Sequence, residues 1–153
     1  FTRHVLDIRE KVDIEYGSPD VWAVKYVRGG LVDAEFIIQY LLLKHGTKRT
    51  PPFVIGHEKA VDELIQLGIL SEQDGVRLNN AAKLSSNVMN ILRLCYETKS
   101  KDRNYSNELL SLLCKATNTN DKNDLVKQLE QSQEFVYALF KQTIYEEPLE
   151  EKL

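Results

Sequence analysis

The residues whose types and spacing could do chemistry gather in one stretch, from Lys25 to Gln39. Lys25 and Arg28 stand just before a glycine pair, Gly29-Gly30, and Asp33, Glu35 and Gln39 follow it. Cations beside a glycine turn at a helix start could hold a phosphate or carboxylate, because free N–H groups point outward there and the helix N-terminus favours negative charge. The competing reading is that the glycines only shape a tight turn and Arg28 pairs with a nearby acid. Glu35 and Gln39, spaced i and i+4, form one narrow polar line on a helix, which either meets a partner domain or faces water. Lys25, Arg28, Gly29, Gly30, Asp33, Glu35 and Gln39 are therefore the candidates for anion binding or contact between domains. No catalytic residue and no metal ligand is assigned.

The rest of the sequence offers no framework for catalysis. There is no Walker phosphate loop, Gly-x-Gly-x-x-Gly, His-Glu-x-x-His or Gly-x-Ser-x-Gly. Gly17-Ser18 hints at a nucleotidyltransferase glycine-serine turn, but an Asp-x-Asp pair to hold Mg²⁺ occurs nowhere in the chain. His4, His45 and His57 share no motif spacing and read as surface or cap residues. Cys95 and Cys114 lie inside apolar helical patterns, which predicts two buried thiols in a reducing compartment and neither a disulfide nor a metal site.

These residues need a scaffold, and composition supplies one: 153 residues, 42% hydrophobic and 28% charged, suit one globular domain with a sizeable core. A net charge of −3 argues against a dedicated binder of nucleic acid or anionic membrane. The apolar runs are too short to span a bilayer and no basic-then-apolar leader is present, so a cytoplasmic protein is expected. The chain starts at Phe1 on a stretch that reads as mid-helix, so a piece cut from a longer protein is expected.

The central element is predicted over about Leu31 to His45. Phe36, Ile37, Ile38, Tyr40, Leu41, Leu42 and Leu43 make it apolar nearly all round, with Asp33 and Lys44 on a thin polar edge opposite Glu35 and Gln39. Gly46 would stop it, with Pro51-Pro52 beyond. Before it, Val5, Ile8, Val12 and Tyr16 space an amphipathic helix over residues 2 to 16, stopped by Gly17-Ser18-Pro19. Asp20 to Arg28 alternates and is expected to be extended.

A third helix is predicted over 57 to 67, ended by Gly68, and a long fourth runs from a Ser71 cap to the polar break at Thr98 to Arg103. The Leu67-Gly68-Ile69-Leu70-Ser71 corner resembles that of helix-turn-helix proteins, but no basic recognition helix follows. A shorter helix carries Leu109 to Ala116. The last shows the clearest stripe: Leu125, Val126, Leu129, Val136, Leu139, Phe140 and Ile144. The expected fold is all-α, a bundle-like domain of five to six helices over 1–145, with an acidic tail over 146–153.

Lys25-Tyr26, Gly29-Gly30-Leu31-Val32-Asp33 and Glu35-Phe36-Ile37-Ile38-Gln39-Tyr40-Leu41 together resemble the hallmark of the glutamine synthetase adenylyltransferases. The likeness continues through Leu67-Gly68-Ile69-Leu70, Ile91-Leu92-Arg93-Leu94-Cys95 and the closing helix. In that family two nucleotidyltransferase domains are each followed by a helical domain, and Leu-Val-Asp after the glycines resembles the second half. Ala34 departs from the isoleucine usual there. The resemblance implies a C-terminal helical domain without catalytic carboxylates or cofactor of its own, ATP and Mg²⁺ belonging to the upstream catalytic domain of the same chain. Its implied partners are that domain, glutamine synthetase and the PII signalling protein. The alternative is a free-standing α-helical interaction module.

Overall fold

The structure is a computed structural model that describes residues 1–45, 56–95 and 105–145. Helical residues run as α1 (Thr2–Tyr16), α2 (Leu31–His45), α3 (His57–Gln66), α4 (Glu72–Cys95), α5 (Asn107–Thr117) and α6 (Lys122–Phe140), closed by a π-helical turn over Lys141–Tyr145. No strand occurs among the described residues. The expected all-α fold is the observed one. The stop at Gly46 with Pro51-Pro52, the break from 98 to 103 and the acidic tail over 146–153 lie outside the described residues.

Local chemistry explains most boundaries. The Ser71 hydroxyl accepts the Asp74 N–H at 3.0 Å, Ser106 accepts that of Leu109 at 3.2 Å, and Asp121 accepts that of Asp124 at 2.8 Å. Each satisfies a helix-start donor that would otherwise lack a partner. Gly68 ends α3 at φ +70°, with its N–H on the Ile65 carbonyl and the Ile69 N–H on that of Leu64, the paired bonds of a Schellman stop.

α2 is central, as an apolar-all-round helix must be. It packs against α3, α4, α6 and the π turn, and Ala34, Ile37, Ile38 and Tyr40 are sealed from solvent. One core cluster joins α2 and α3 to the first half of α4 and the last half of α6. A second joins Val24 and Val88 to α5 and the first half of α6. α4 spans both, which is why it is the longest helix.

Three expectations are corrected. The segment from Asp20 to Arg28 is a chain of turns, not a strand: the Ala23 N–H bonds to the Asp20 carbonyl at 2.9 Å, and Tyr26 and Val27 both donate to Ala23. With no neighbouring strand, an extended segment would leave these groups unpaired, so the backbone satisfies them locally. On α1 the inward face is rotated from the one that periodicity suggests, with Ile8 and Tyr16 half exposed and Arg9 buried. Cys95 is exposed at the end of α4, while Cys114 is buried as expected. Thiol labelling of the native protein should therefore modify Cys95 rapidly and Cys114 only on unfolding. Equal native rates for the two would contradict the packing of α5.

Candidate functional site

The candidate residues sit in and around the turn that feeds α2. The turn folds back so that its carbonyls serve the helix start: Gly30 donates to Val27 at 2.8 Å, Leu31 to Val24 at 2.8 Å and Val32 to Lys25 at 3.0 Å. The Gly29 N–H donates to Asp33 Oδ2 at 2.6 Å. Gly29 takes φ +79°, and a Cβ on it would overlap the backbone carbonyl of Gln133 on α6, so glycine is required twice over. These four N–H groups are thus satisfied by the turn and the first residues of α2.

Asp33 is not on an exposed polar edge. It is fully buried, and its second oxygen takes the Nε–H of Arg9, which reaches in from α1 and is itself 1% exposed. A charge this deep needs a partner of opposite sign with hydrogen bonds, and each supplies the other's. Arg9 also donates to the Tyr26 carbonyl at 3.4 Å and lies 3.5 Å from Asp13. Arg28 pairs with that same Asp13 at 3.2 Å, as the local reading of this arginine supposed. Gln133 completes the arrangement by donating to the Val21 carbonyl at 2.8 Å. One polar knot therefore fastens α1, the turn, α2 and α6 together.

Nothing in the pattern of the sequence singled out Arg9, Asp13 or Gln133. Only an unusual feature, one arginine between Val5 and Val12 on the inward stripe of α1, could have pointed to Arg9.

Lys25, Glu35 and Gln39 lie outside the knot. Lys25 stands over the Tyr26 ring at 4.9 Å, Glu35 is exposed as a residue and Gln39 is half-buried. Glu35 lines a small cavity of about 280 Å³ together with His57, Asn79 and Lys83. Partial desolvation raises its pKa above the ordinary carboxylate value, with the charge of Lys25 acting in the other direction. Burial likewise lowers the pKa of His57, whose ring nitrogens find no hydrogen-bond partner among the described residues. Lys25 and Glu35 are thus the candidates that remain open to a neighbour.

The Mg²⁺ implied for the parent enzyme does not fit here. Both oxygens of Asp33 are engaged, and among the described residues no three His, Cys, Asp or Glu side chains converge as a metal site would require.

The fold and its turn define a helical domain built around a glycine-led central helix. The chain belongs to the family described as GlnD PII-uridylyltransferase, which it matches over residues 19–144, from the turn before α2 to the end of the π turn. It is also similar to bifunctional glutamine synthetase adenylyltransferase/adenylyl-removing enzymes. That of Rhodopseudomonas palustris strain HaA2 is 35% identical over 140 residues, covering 92% of this chain and 14% of the relative. That of strain BisB5 is 34% identical over the same shares. That of Bradyrhizobium sp. strain BTAi1 is 33% identical over 138 residues, covering 90% and 14%. The chain thus spans about 14% of the length of the curated relatives it matches.

Proposed function

We propose that this chain is the C-terminal helical accessory domain of an enzyme that transfers AMP from ATP to glutamine synthetase. The observation that carries this reading is the 35% identity to an adenylyltransferase over 92% of the chain, within only 14% of the relative's length. The domain supplies a rigid platform, since its conspicuous charges, Arg9, Asp33, Asp13 and Arg28, are spent on each other. ATP and Mg²⁺ belong to the upstream catalytic domain. The partners are that domain, glutamine synthetase and the PII protein.

In this reading the line from Glu35 to Gln39, with Lys25 beside it, orients the catalytic domain. Glu35→Ala should change the unfolding free energy of the 153-residue chain by no more than about 1 kcal/mol, because Glu35 is exposed as a residue. The same change in the full-length enzyme should cut AMP transfer to glutamine synthetase, because a misplacement of about 1 Å can cost about a hundredfold in rate. Unchanged turnover, or a chain destabilised by several kcal/mol, would rule out the interdomain role. The 153-residue chain alone, given ATP, Mg²⁺ and glutamine synthetase, should transfer no AMP. Transfer above a no-enzyme control would overturn the accessory reading.

A further inference from the structure

An open groove of about 840 Å³ runs between α4 and α6, with the C-terminal turn of α5 also lining it. Small side chains at Ala81 and Ala116 leave this space, and Leu84 and Phe135 give it an apolar lining. From Arg77 to Asn87 the α4 wall is about 15 Å long at 1.5 Å per residue. That length matches four or five residues of extended chain at about 3.3 Å each.

The charge of this lining opposes that of the protein. The chain carries −3 overall, whereas the groove presents Arg77, Lys83 and Lys127 against one acid, Asp124. Asp124 is already occupied: one oxygen accepts the Asn120 N–H at 2.8 Å and the other accepts Gln128 Nε2 at 3.2 Å. None of the three cations lies within ion-pair distance of an acid among the described residues, although the charge of Lys127 acts on Asp124, and the Arg77 guanidinium lies over the Phe135 ring, 3.9 Å from its centre. Asn80, Asn87 and Gln131, which carry side-chain amides, also line the groove. Amides both donate and accept, as a strand-like backbone requires and a helix, with its backbone already paired, does not.

We infer that this groove receives an extended acidic segment, four or five residues long, of a separate partner protein. Its carboxylates meet Arg77, Lys83 and Lys127, its backbone meets the amides, and one apolar side chain lies against Ala81 and Phe135. The groove shares Lys83 with the cavity of Glu35 and shares no residue with the polar knot, and the inference does not rest on the proposed AMP-transfer role.

The test uses the 153-residue chain and a fluorescein-labelled peptide, Glu-Glu-Leu-Glu-Glu, followed by anisotropy, with Gln-Gln-Leu-Gln-Gln as its neutral counterpart. The acidic peptide should saturate with a midpoint below about 1 mM and weaken severalfold on raising salt from about 0.05 to 0.3 M, while the neutral one should not saturate. Lys83→Glu/Lys127→Glu should weaken binding of the acidic peptide about tenfold or more and favour Lys-Lys-Leu-Lys-Lys instead. Both lysines are exposed, so the helical circular-dichroism signal should be unchanged, and Lys83→Arg/Lys127→Arg should retain binding. No saturable binding, equal binding of the acidic and neutral peptides, or indifference to charge reversal would overturn the inference and leave the cations as a solvated face. Binding seen only after deletion of residues 146–153 would assign the groove to this chain's own acidic end, and would overturn the separate partner.

Discussion

Asp33→Ala is expected to lower the unfolding free energy of the chain by about 3–5 kcal/mol, the usual result of leaving a buried charge without its partner. Arg9 is 1% exposed, so its guanidinium would lose its carboxylate with almost no water to replace it. The Gly29 N–H would lose its acceptor in the same step. Urea unfolding of the wild type and variant measures the loss. Arg9→Met and Asp33→Asn should each cost a similar amount, but Arg9→Met/Asp33→Asn should cost clearly less than these two single effects added, because the double change leaves no unpaired charge and keeps an acceptor for Gly29. A loss below about 1 kcal/mol for Asp33→Ala, or additive effects in the cycle, would show that the pair does not fasten α1 to α2. Hydrogen exchange gives a second readout. Amides along α1 should exchange faster in Asp33→Ala, since this helix is held at its middle by Arg9 and at its ends by aromatic stacking of Phe1 on Tyr40 and Tyr16 on Tyr26.

Gly29→Ala is expected to cost about 3–5 kcal/mol, from the strain of a positive φ together with overpacking. The atoms its methyl group would meet belong to the backbone of Gln133 within α6, so no side-chain rotation relieves the contact. Gly68→Ala separates the two contributions. Gly68 has a similar φ of +70°, but a methyl group there would meet nothing within 4 Å, so only the backbone strain of about 1–2 kcal/mol should appear. Equal losses at the two positions in denaturant unfolding would mean that α6 shifts freely, and that the glycine turn does not set its distance from α2.

The two variants bear on function in different ways. Asp33→Ala loosens α1, whereas Gly29→Ala disturbs the contact of the turn with α6. The family match begins at residue 19, after α1 has ended, so the turn, α2 and α6 lie within the matched region and α1 precedes it. The knot joins these two parts of the chain, and its residues stabilise the platform on which Lys25 and Glu35 are displayed.

Much of this was legible in the residues because the rules that place helices are local. A side-chain cap such as Ser71 and a glycine stop such as Gly68 act within a few residues, and the apolar run over Leu31–His45 is central whichever helices surround it. The resemblance carried by Lys25 to Leu41 also needed only sequence, and the relatives bear it out. Other features depended on neighbours distant in the chain. Ile8 and Arg9 differ by one position on α1, and the choice between their faces rests on Asp33, which waits 24 residues later with a charge to be paired. Alternation from Asp20 to Arg28 suits a strand only where another strand exists to pair with it, and here local turns satisfy the backbone instead. Cys95 follows the stripe of α4, yet none of the described residues covers that last turn well enough to bury it. The sequence alone therefore determined the helices, the central place of α2 and the family. Only the tertiary structure decided which charges are buried together, because burial belongs to the meeting of elements and not to the pattern of any one of them.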